Sequence, residues 1–478
     1  MSKGNMECRL VNSMEEPCDS NSANPETNLD ARIEQLIESR KERGLFRSMW
    51  PSYGVMFHGD NDVSVDSNAN EACDKQPQFD EAEYADFASN DYLGLTRNPA
   101  LQRSIAQRCL RAANQSHVRF GGSGGSRVLS GNSLDAEMLE KRIADFHKAK
   151  YALLFSSGFV ANMAVLSCLP VDIILYDEQI HASSHDGMRL SRARHVMSFR
   201  HNDVAHLESL LFRFRNHEEA TDKPPVILIV VEGMYSMQGD VAPLRRIMTS
   251  AEKFNAQVVV DEAHSAGIFG DHGQGFVVER RLETHPNLFC RVITFGKAFG
   301  SHGAAVVFNH QSGRDYIMNY ARSFVFSTSP GIPWILGIDE IYKYMASADA
   351  DVQRANLKVL SDYFDTVAAE SKSLHWLPCA SGGPIKSVEL PGNHFVTAVA
   401  NELRRSKFLV YAVRAPTVPA GSERMRLVIH SFNTAKEIRD LITQLEEVVN
   451  NVKKGQQLID RYYSSIGNGH GAQRRAKL

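Results

Sequence analysis

The chain has 478 residues, with 53 basic and 56 acidic side chains, a net charge of -3, and 43% hydrophobic against 23% charged residues. At roughly 100–200 residues per domain, this length predicts two to four domains, at least one with a large core. The balanced charge gives no basis for a nucleic-acid or acidic-membrane partner, and no apolar run approaches the ~18 residues of a bilayer span. Seven scattered cysteines without a CxxC pair argue against a disulfide scaffold or a zinc site, and predict a reducing compartment.

Residues 1–30 are polar, rich in Asn, Ser and Glu, and read as a disordered arm without a secretory signal. The segment 31–100 opens with a helical pattern from Arg32 to about Phe46 and carries a polar insertion at 60–83. Residues 101–345 read as a large domain. Within it, short apolar runs occur at Tyr151–Phe155, Ile173–Tyr176, Val196–Phe199, Val226–Val231, Val258–Val260, Val292–Phe295 and Ala304–Phe308. Helical patterns at Phe159–Cys168, Asp203–Phe214 and Leu244–Phe254 separate several of them. That alternation predicts an α/β domain with a largely parallel sheet covered on both faces. A long helical region from Asp315 to about Asp365 leads out of it. Residues 346–455 then mix strands and helices as a smaller α+β domain does, and 456–478 form a polar, basic tail.

In an open parallel sheet, ligands bind beyond the carboxyl ends of the strands, so the polar residues just after the apolar runs form one candidate set. Ser156-Ser-Gly-Phe-Val-Ala-Asn162 offers a small-residue turn at a helix start, where exposed amides attract anions. Glu232-Gly-Met-Tyr-Ser236, Asp261-Glu-Ala-His264 and Gly296-Lys297 follow three further strands. Each fragment alone has a plain explanation. Lys297 reads as a solvated surface lysine, and Asp261 with His264 as a helix cap and its neighbour. Asp261-Glu-Ala-His264 also resembles a helicase box, but no GxxxxGK[ST] loop precedes it. His181 and His185 are four residues apart but lack the glutamate of a metalloprotease motif, so no metal site is expected.

Taken together, the fragments resemble the α-oxoamine synthases, pyridoxal-phosphate enzymes of aminotransferase fold type I. The matching segments are Ser89-Asn-Asp-Tyr-Leu-Gly-Leu95, Gly122-Ser-Gly-Gly-Ser-Arg127, Phe155-Ser-Ser-Gly-Phe-Val-Ala-Asn162 and Tyr235-Ser-Met-Gln-Gly-Asp240. They continue with Asp261-Glu-Ala-His-Ser265, Thr294-Phe-Gly-Lys-Ala-Phe-Gly300, Phe326-Ser-Thr-Ser329 and Ala415-Pro-Thr-Val-Pro-Ala-Gly421. The resemblance spans about Arg32 to Val449, in order, and implies a large mostly parallel-sheet domain with a smaller α+β C-terminal domain.

The resemblance also implies roles. Lys297 would carry the cofactor as a Schiff base and then serve as the base for the substrate α-proton. Asp261 would face the pyridine nitrogen and His181 would stack on the ring, while His264 would bond the phenolic oxygen. Gly158 and Phe159 would offer amides to the phosphate, with Ser236 and Thr294 adding hydroxyls. Arg426 would bind the amino-acid carboxylate with help from Asn90. Arg47 and Thr417 would contact the acyl substrate.

The branches of the family share a decarboxylative condensation of an amino acid with an acyl-CoA. Arg414-Ala-Pro-Thr-Val-Pro-Ala-Gly421 and the sequence around Lys297 lean toward the branch of biotin synthesis that joins L-alanine to a pimeloyl thioester. Ile429-His-Ser-Phe-Asn-Thr434 departs from the family's small-residue run ending in His-Thr, which leaves other branches, and an ordinary aminotransferase, as alternatives. The family also implies a homodimer with the Gly121–Arg127 loop reaching toward the cofactor. The final tripeptide, Ala476-Lys-Leu478, has the form of a peroxisomal import signal read by a receptor; otherwise a cytoplasmic location is expected.

Overall fold

The computed structural model describes residues 29–43, 84–216 and 223–465. Arg47, the insertion at 60–83 and the C-terminal tripeptide lie outside the described residues. The chain divides into two compact units, one of Met1–Pro51 with Ile466–Leu478 and the other of Ser52–Ser465. In the first, Leu29–Glu42 forms α1, starting earlier than the apolar pattern indicates because Asp30 suits a first helical turn.

The second unit begins with Ala85–Asp86 (β1), Pro99–Ala113 (α2) and Leu134–Phe146 (α3). Strand and helix then alternate: Tyr151–Phe155 (β2), Gly158–Cys168 (α4), Ile173–Asp177 (β3), Ala182–Arg189 (α5), His195–Phe199 (β4) and Val204–Asn216 (α6). Ile227–Glu232 (β5), Leu244–Lys253 (α7), Gln257–Asp261 (β6), Phe276–Glu279 (α8), Leu288–Thr294 (β7) and Ala304–Phe308 (β8) complete the pattern. The seven strands lie in the order β2-β8-β7-β6-β5-β3-β4, with only β8 reversed. Every residue of β5 is buried, so helices and loops cover both faces.

β7 begins four residues before the expected run. Arg291, which reads as a break in an apolar strand, is buried beside the equally buried Glu262, Nη1 to Oε2 3.7 Å, and donates to the His147 carbonyl. The long helical region is in fact four helices: Gln311–Tyr320 (α9), Arg322–Val325 (α10), Ile332–Met345 (α11) and Ala348–Glu370 (α12). Ala321 adopts extended backbone between the first two, Pro330 stands in the second gap with Pro333 in the first turn of α11, and Ser347 caps α12 by accepting the Ala350 amide. The domain boundary expected at 345/346 falls in the short gap before α12.

The remaining elements are Ile385–Glu389 (β9), Asn393–Arg405 (α13), Phe408–Leu409 (β10), Tyr411–Val413 (β11), Arg424–Val428 (β12) and Ala435–Ser465 (α14). β11, β12 and β9 form an antiparallel sheet in which Arg426 pairs with Ser387, and β1 runs parallel to β10. Among the described residues, no helix is long and apolar enough to cross a membrane.

Candidate active site

β5, β6 and β7 end side by side, with Glu232 in register with Asp261. Their ends, the start of α4 and the start of α5 line one pocket, which contains Gly158, Phe159, Asn162, His181, Glu232, Asp261, His264, Thr294 and Lys297. The turn that bears Lys297 depends on close packing. Gly300 has φ +57°, and a Cβ there would stand 2.8 Å from that of Leu95, while one on Gly303 would collide with the Trp334 ring.

Lys297 starts a chain of hydrogen bonds across the site. Its Nζ lies 2.5 Å from His264 Nε2, and His264 Nδ1 lies 2.6 Å from the Tyr92 hydroxyl. That hydroxyl donates to Asn90 Oδ1 at 3.1 Å, and Arg426 Nη2 donates to the same oxygen at 3.0 Å. Because Tyr92 donates its proton to Asn90, His264 must donate from Nδ1 and accept at Nε2, which assigns a neutral ring. Electrostatics agree: burial, with Lys297 and Arg426 adding to it, drives His264 well below the usual imidazole range. Burial also lowers Lys297 to about 8, although Asp261 and Glu232 pull the other way.

Asp261 is buried and fixed at both oxygens. Oδ1 accepts the Ala263 amide at 2.9 Å, and Oδ2 accepts Asn162 Nδ2 at 2.6 Å. Asn162 also donates to Ser183 Oγ at 3.1 Å. His181 Nδ1 accepts the Ser183 amide at 3.2 Å and lies 2.7 Å from its hydroxyl, so the ring proton sits on Nε2. Burial and the nearby Lys297 lower His181, against the pull of Asp261. Glu232 is 3% exposed, and its Oε1 has no hydrogen-bond partner among the described residues. Burial, with the Asp261 charge adding to it, pushes its carboxyl well above the usual carboxylate range.

An anion site sits at the start of α4. Ser157 accepts the Val160 amide on Oγ and the Ala161 amide on its carbonyl, which leaves the Gly158 and Phe159 amides at the mouth of the first turn. A Cβ on Gly158 would press on the Thr294 side chain at 3.2 Å. The donor set fits pyridoxal phosphate: two free-facing helix amides for its phosphate, one amine of lowered basicity for its aldehyde and a braced carboxylate for its ring nitrogen.

The structure brings Lys297, His181, Asp261, His264, Gly158, Phe159 and Thr294 to one pocket, with Asn90 and Arg426 joined to it through Tyr92. Ser236 meets the network through its backbone: its carbonyl accepts Arg426 Nε at 2.6 Å, and its side chain is not part of the pocket lining. Thr417 is exposed on the turn between β11 and β12, outside that lining. The segment that departs from the family pattern buttresses the Ser89–Tyr92 loop. His430 Nε2 lies 3.0 Å from Ser89 Oγ, the Ser431 amide donates to the Tyr92 carbonyl, and Phe432 packs beneath Gly94.

Sequence reasoning assigned no role to Tyr92, Asn162, Ser183 or Glu232. Asn162 was detectable, since it lies one helical turn after the phosphate-type residues Gly158 and Phe159 and so shares their face. Glu232 was already among the residues at strand ends, but that it stands directly beside Asp261 follows from the strand register.

The model of class I and II aminotransferases matches residues 82–445. An 8-amino-7-oxononanoate synthase of Emericella nidulans is 37% identical over 385 residues, 77% of this chain and 90% of that protein. The enzyme of the same name from Enterobacter sp. is 34% identical over 369 residues, again 77% and 90%. Among solved structures, a serine palmitoyltransferase of S. paucimobilis with bound PLP-myriocin aldimine superposes with a TM-score of 0.69 at 27% identity, over 77% of this chain and 88% of that one. The 8-amino-7-oxononanoate synthase of Francisella tularensis gives 0.63 at 25% identity, over 77% and 98%.

Proposed function

Since the chain belongs to the α-oxoamine synthases, pyridoxal-phosphate-dependent acyltransferases within the class I and II aminotransferase family, we propose that it condenses L-alanine with pimeloyl-CoA to give 8-amino-7-oxononanoate, CO2 and CoA. The observation that carries this reading is the unbroken hydrogen-bonded path from Lys297 through His264, Tyr92 and Asn90 to Arg426. It links the group that handles the α-proton to the group that holds the α-carboxylate. The names of the relatives at 34–37% identity favour the biotin branch.

Pyridoxal phosphate, when bound, supplies a carbonyl for the amino acid and a ring that withdraws electrons from its α-carbon. The chain does the rest. Lys297, at about 8, gives a usable fraction of free amine near neutrality, holds the cofactor, and later accepts the α-proton at Nζ. Asp261 would pair with the ring nitrogen, and Asn162 and the Ala263 amide keep its carboxylate from turning away. His181, held by Ser183, would lie against the bound ring. The Gly158 and Phe159 amides would receive the phosphate, together with the Thr294 hydroxyl. Arg426 orients the carboxylate, its plane set by Ser236 and Asn90.

Free-CoA release across a matrix of amino acids and acyl-CoAs tests the assignment. Alanine with pimeloyl-CoA is expected to lead in kcat/KM. A tenfold preference for glycine, about 1.4 kcal/mol, moves the chain to another branch, and amino transfer to a keto acid without CO2 overturns the class.

The assembly we infer is a homodimer. The Gly121–Arg127 loop joins the Phe326–Ser329 segment through the Ser126–Thr328 bridge, and Leu129, Phe326 and Leu134 around it are 84%, 72% and 69% exposed. Such a patch calls for a covering surface. A monomer in sedimentation with full activity contradicts it. For location we propose the peroxisome, on Ala476-Lys-Leu478; diffuse fluorescence from both an N-terminal fusion and its version lacking 476–478 removes that proposal.

A further inference from the structure

β9, the strand paired with that of Arg426, contributes to a second group of reactive side chains that the condensation does not use. Lys386, on β9, is 2% exposed, and its Nζ lies 2.6 and 2.7 Å from the two carboxylate oxygens of Asp365 on α12. The same Nζ is 3.5 Å from Cys379 Sγ, which stands 3.8 Å from Asp365 Oδ1. All three line a cavity of about 170 Å³ walled by Phe364, Trp376 and Leu377. Asp365 is 41% exposed on its side chain, so the cavity has a route to solvent.

An amine, a thiol and a proton acceptor thus share one small chamber that admits molecules of peroxide size. We propose that Cys379 and Lys386 form a reversible oxidative cross-link in which one oxygen atom bridges Sγ and Nζ, with hydrogen peroxide as the oxidant. The 3.5 Å gap accommodates an intervening oxygen after a small side-chain shift, whereas a direct S–N bond requires the two atoms to meet.

The chemistry balances in two steps. First, the Cys379 thiolate attacks one peroxide oxygen; an S–O bond forms, the O–O bond breaks, and the departing hydroxide takes the thiol proton to become water, leaving Cys379 as S–OH. Second, the Lys386 ammonium passes a proton to Asp365, which returns it to solvent. A second peroxide then oxidises the facing O–H and N–H. An N–O bond forms, the O–O bond breaks, and the two hydrogens leave within two waters. Two equivalents of a dithiol reverse the process and return amine, thiol and one water. Burial raises the Cys379 thiol above its usual range while Lys386 draws it down, so the first step quickens as pH rises.

The position gives the bridge a mechanical consequence. The Ala380 amide donates to the Gly239 carbonyl at 2.8 Å, Gln238 Nε2 to the Pro378 carbonyl at 3.1 Å, and Ser387 Oγ to the Met237 carbonyl at 2.7 Å. The cross-link therefore ties down the segment that anchors the loop of Ser236, whose carbonyl holds Arg426.

Tryptic mapping of the peroxide-treated holoenzyme, without reductant, tests the proposal. Cys379 and Lys386 share the peptide 373–386, and a bridged lysine resists trypsin. The expected product is the uncleaved peptide 373–404, heavier by one oxygen and lighter by two hydrogens, which gives 373–386 after dithiol reduction and a second digestion with trypsin. Normal cleavage at Lys386, with Cys379 unchanged or carrying only added oxygens, overturns it. So does a product lighter by two hydrogens alone, which marks a direct S–N bond. Lys386→Arg is expected to send Cys379 to its irreversible acids; the same bridged mass from that variant also overturns the proposal.

Discussion

Two histidines stand at the ends of strands of one sheet, one neutral and one cationic. His264, after β6, is buried between Lys297 and Arg426, and burial reinforced by those cations keeps it neutral. His201, after β4, lies 2.8 Å from Asp177 and 2.6 Å from Asp240. Burial pulls it down too, but the bonds to both carboxylates outweigh that pull and raise it to about 9. Desolvation has the same sign at both rings, so the neighbours decide. His264 sits where a neutral ring must pass hydrogen bonds between a base and a substrate arginine. His201 is a cationic rivet, with Tyr235 edge-on to it at 4.5 Å, that holds the 235–240 loop to the sheet.

The sharpest break of this contrast removes a cation that reinforces the effect of burial on His264. Lys297→Ala is expected to cost roughly 10³-fold or more in kcat, since it deletes both the cofactor link and the base. Single-turnover CoA release measures it, and retained turnover contradicts the assignment.

On the other side of the comparison, His201→Ala leaves Asp177 and Asp240 facing each other without a cation. The expected loss is about 2 kcal/mol of folding stability, below the full cost of breaking a buried pair because the ring is partly open to solvent. Denaturant unfolding reads it, with pyridoxal-phosphate absorbance retained in the folded fraction. The same group sets a pH window. Its folded value of about 9 lies above the ordinary 6.5, so its contribution is complete below pH 6.5 and fades as pH climbs through 9. After the same discount for solvent screening, the drop amounts to roughly 2 kcal/mol in wild type and vanishes in the variant.

A subtler change tests the relay itself. Tyr92→Phe removes the hydroxyl between His264 and Asn90 without emptying the core position. The expected effect is about a tenfold fall in kcat/KM for the amino acid, with unchanged cofactor affinity. Equal kinetics in the two enzymes would detach His264 from the Arg426 side of the site.

How much of this was legible in the sequence depends on what kind of signal each part left. β2, β5 and β8 were visible because strands covered on both faces must be continuously apolar, and no polar residue interrupts Ile227–Val231. The start of β7 was hidden because Arg291 is a buried charge whose partner Glu262 belongs to another strand's end. The breaks within 311–370 rest on the conformation of Ala321 and on prolines whose effect a purely helical spacing obscures. In the site, Lys297, Asp261 and His264 sit in distinctive local sequence. Tyr92 and Glu232 gain meaning from residues far along the chain, 172 positions away for the Tyr92–His264 bond.

The central claim, that Lys297 carries the cofactor, is tested most directly by trapping the labelled residue. Pyridoxal phosphate is added to the protein across a pH series, reduced with borohydride, and the labelled peptide is mapped. A single label on Lys297 is expected, with capture rising as pH passes through about 8, where its amine loses its proton. A label on another lysine, or none, would contradict it.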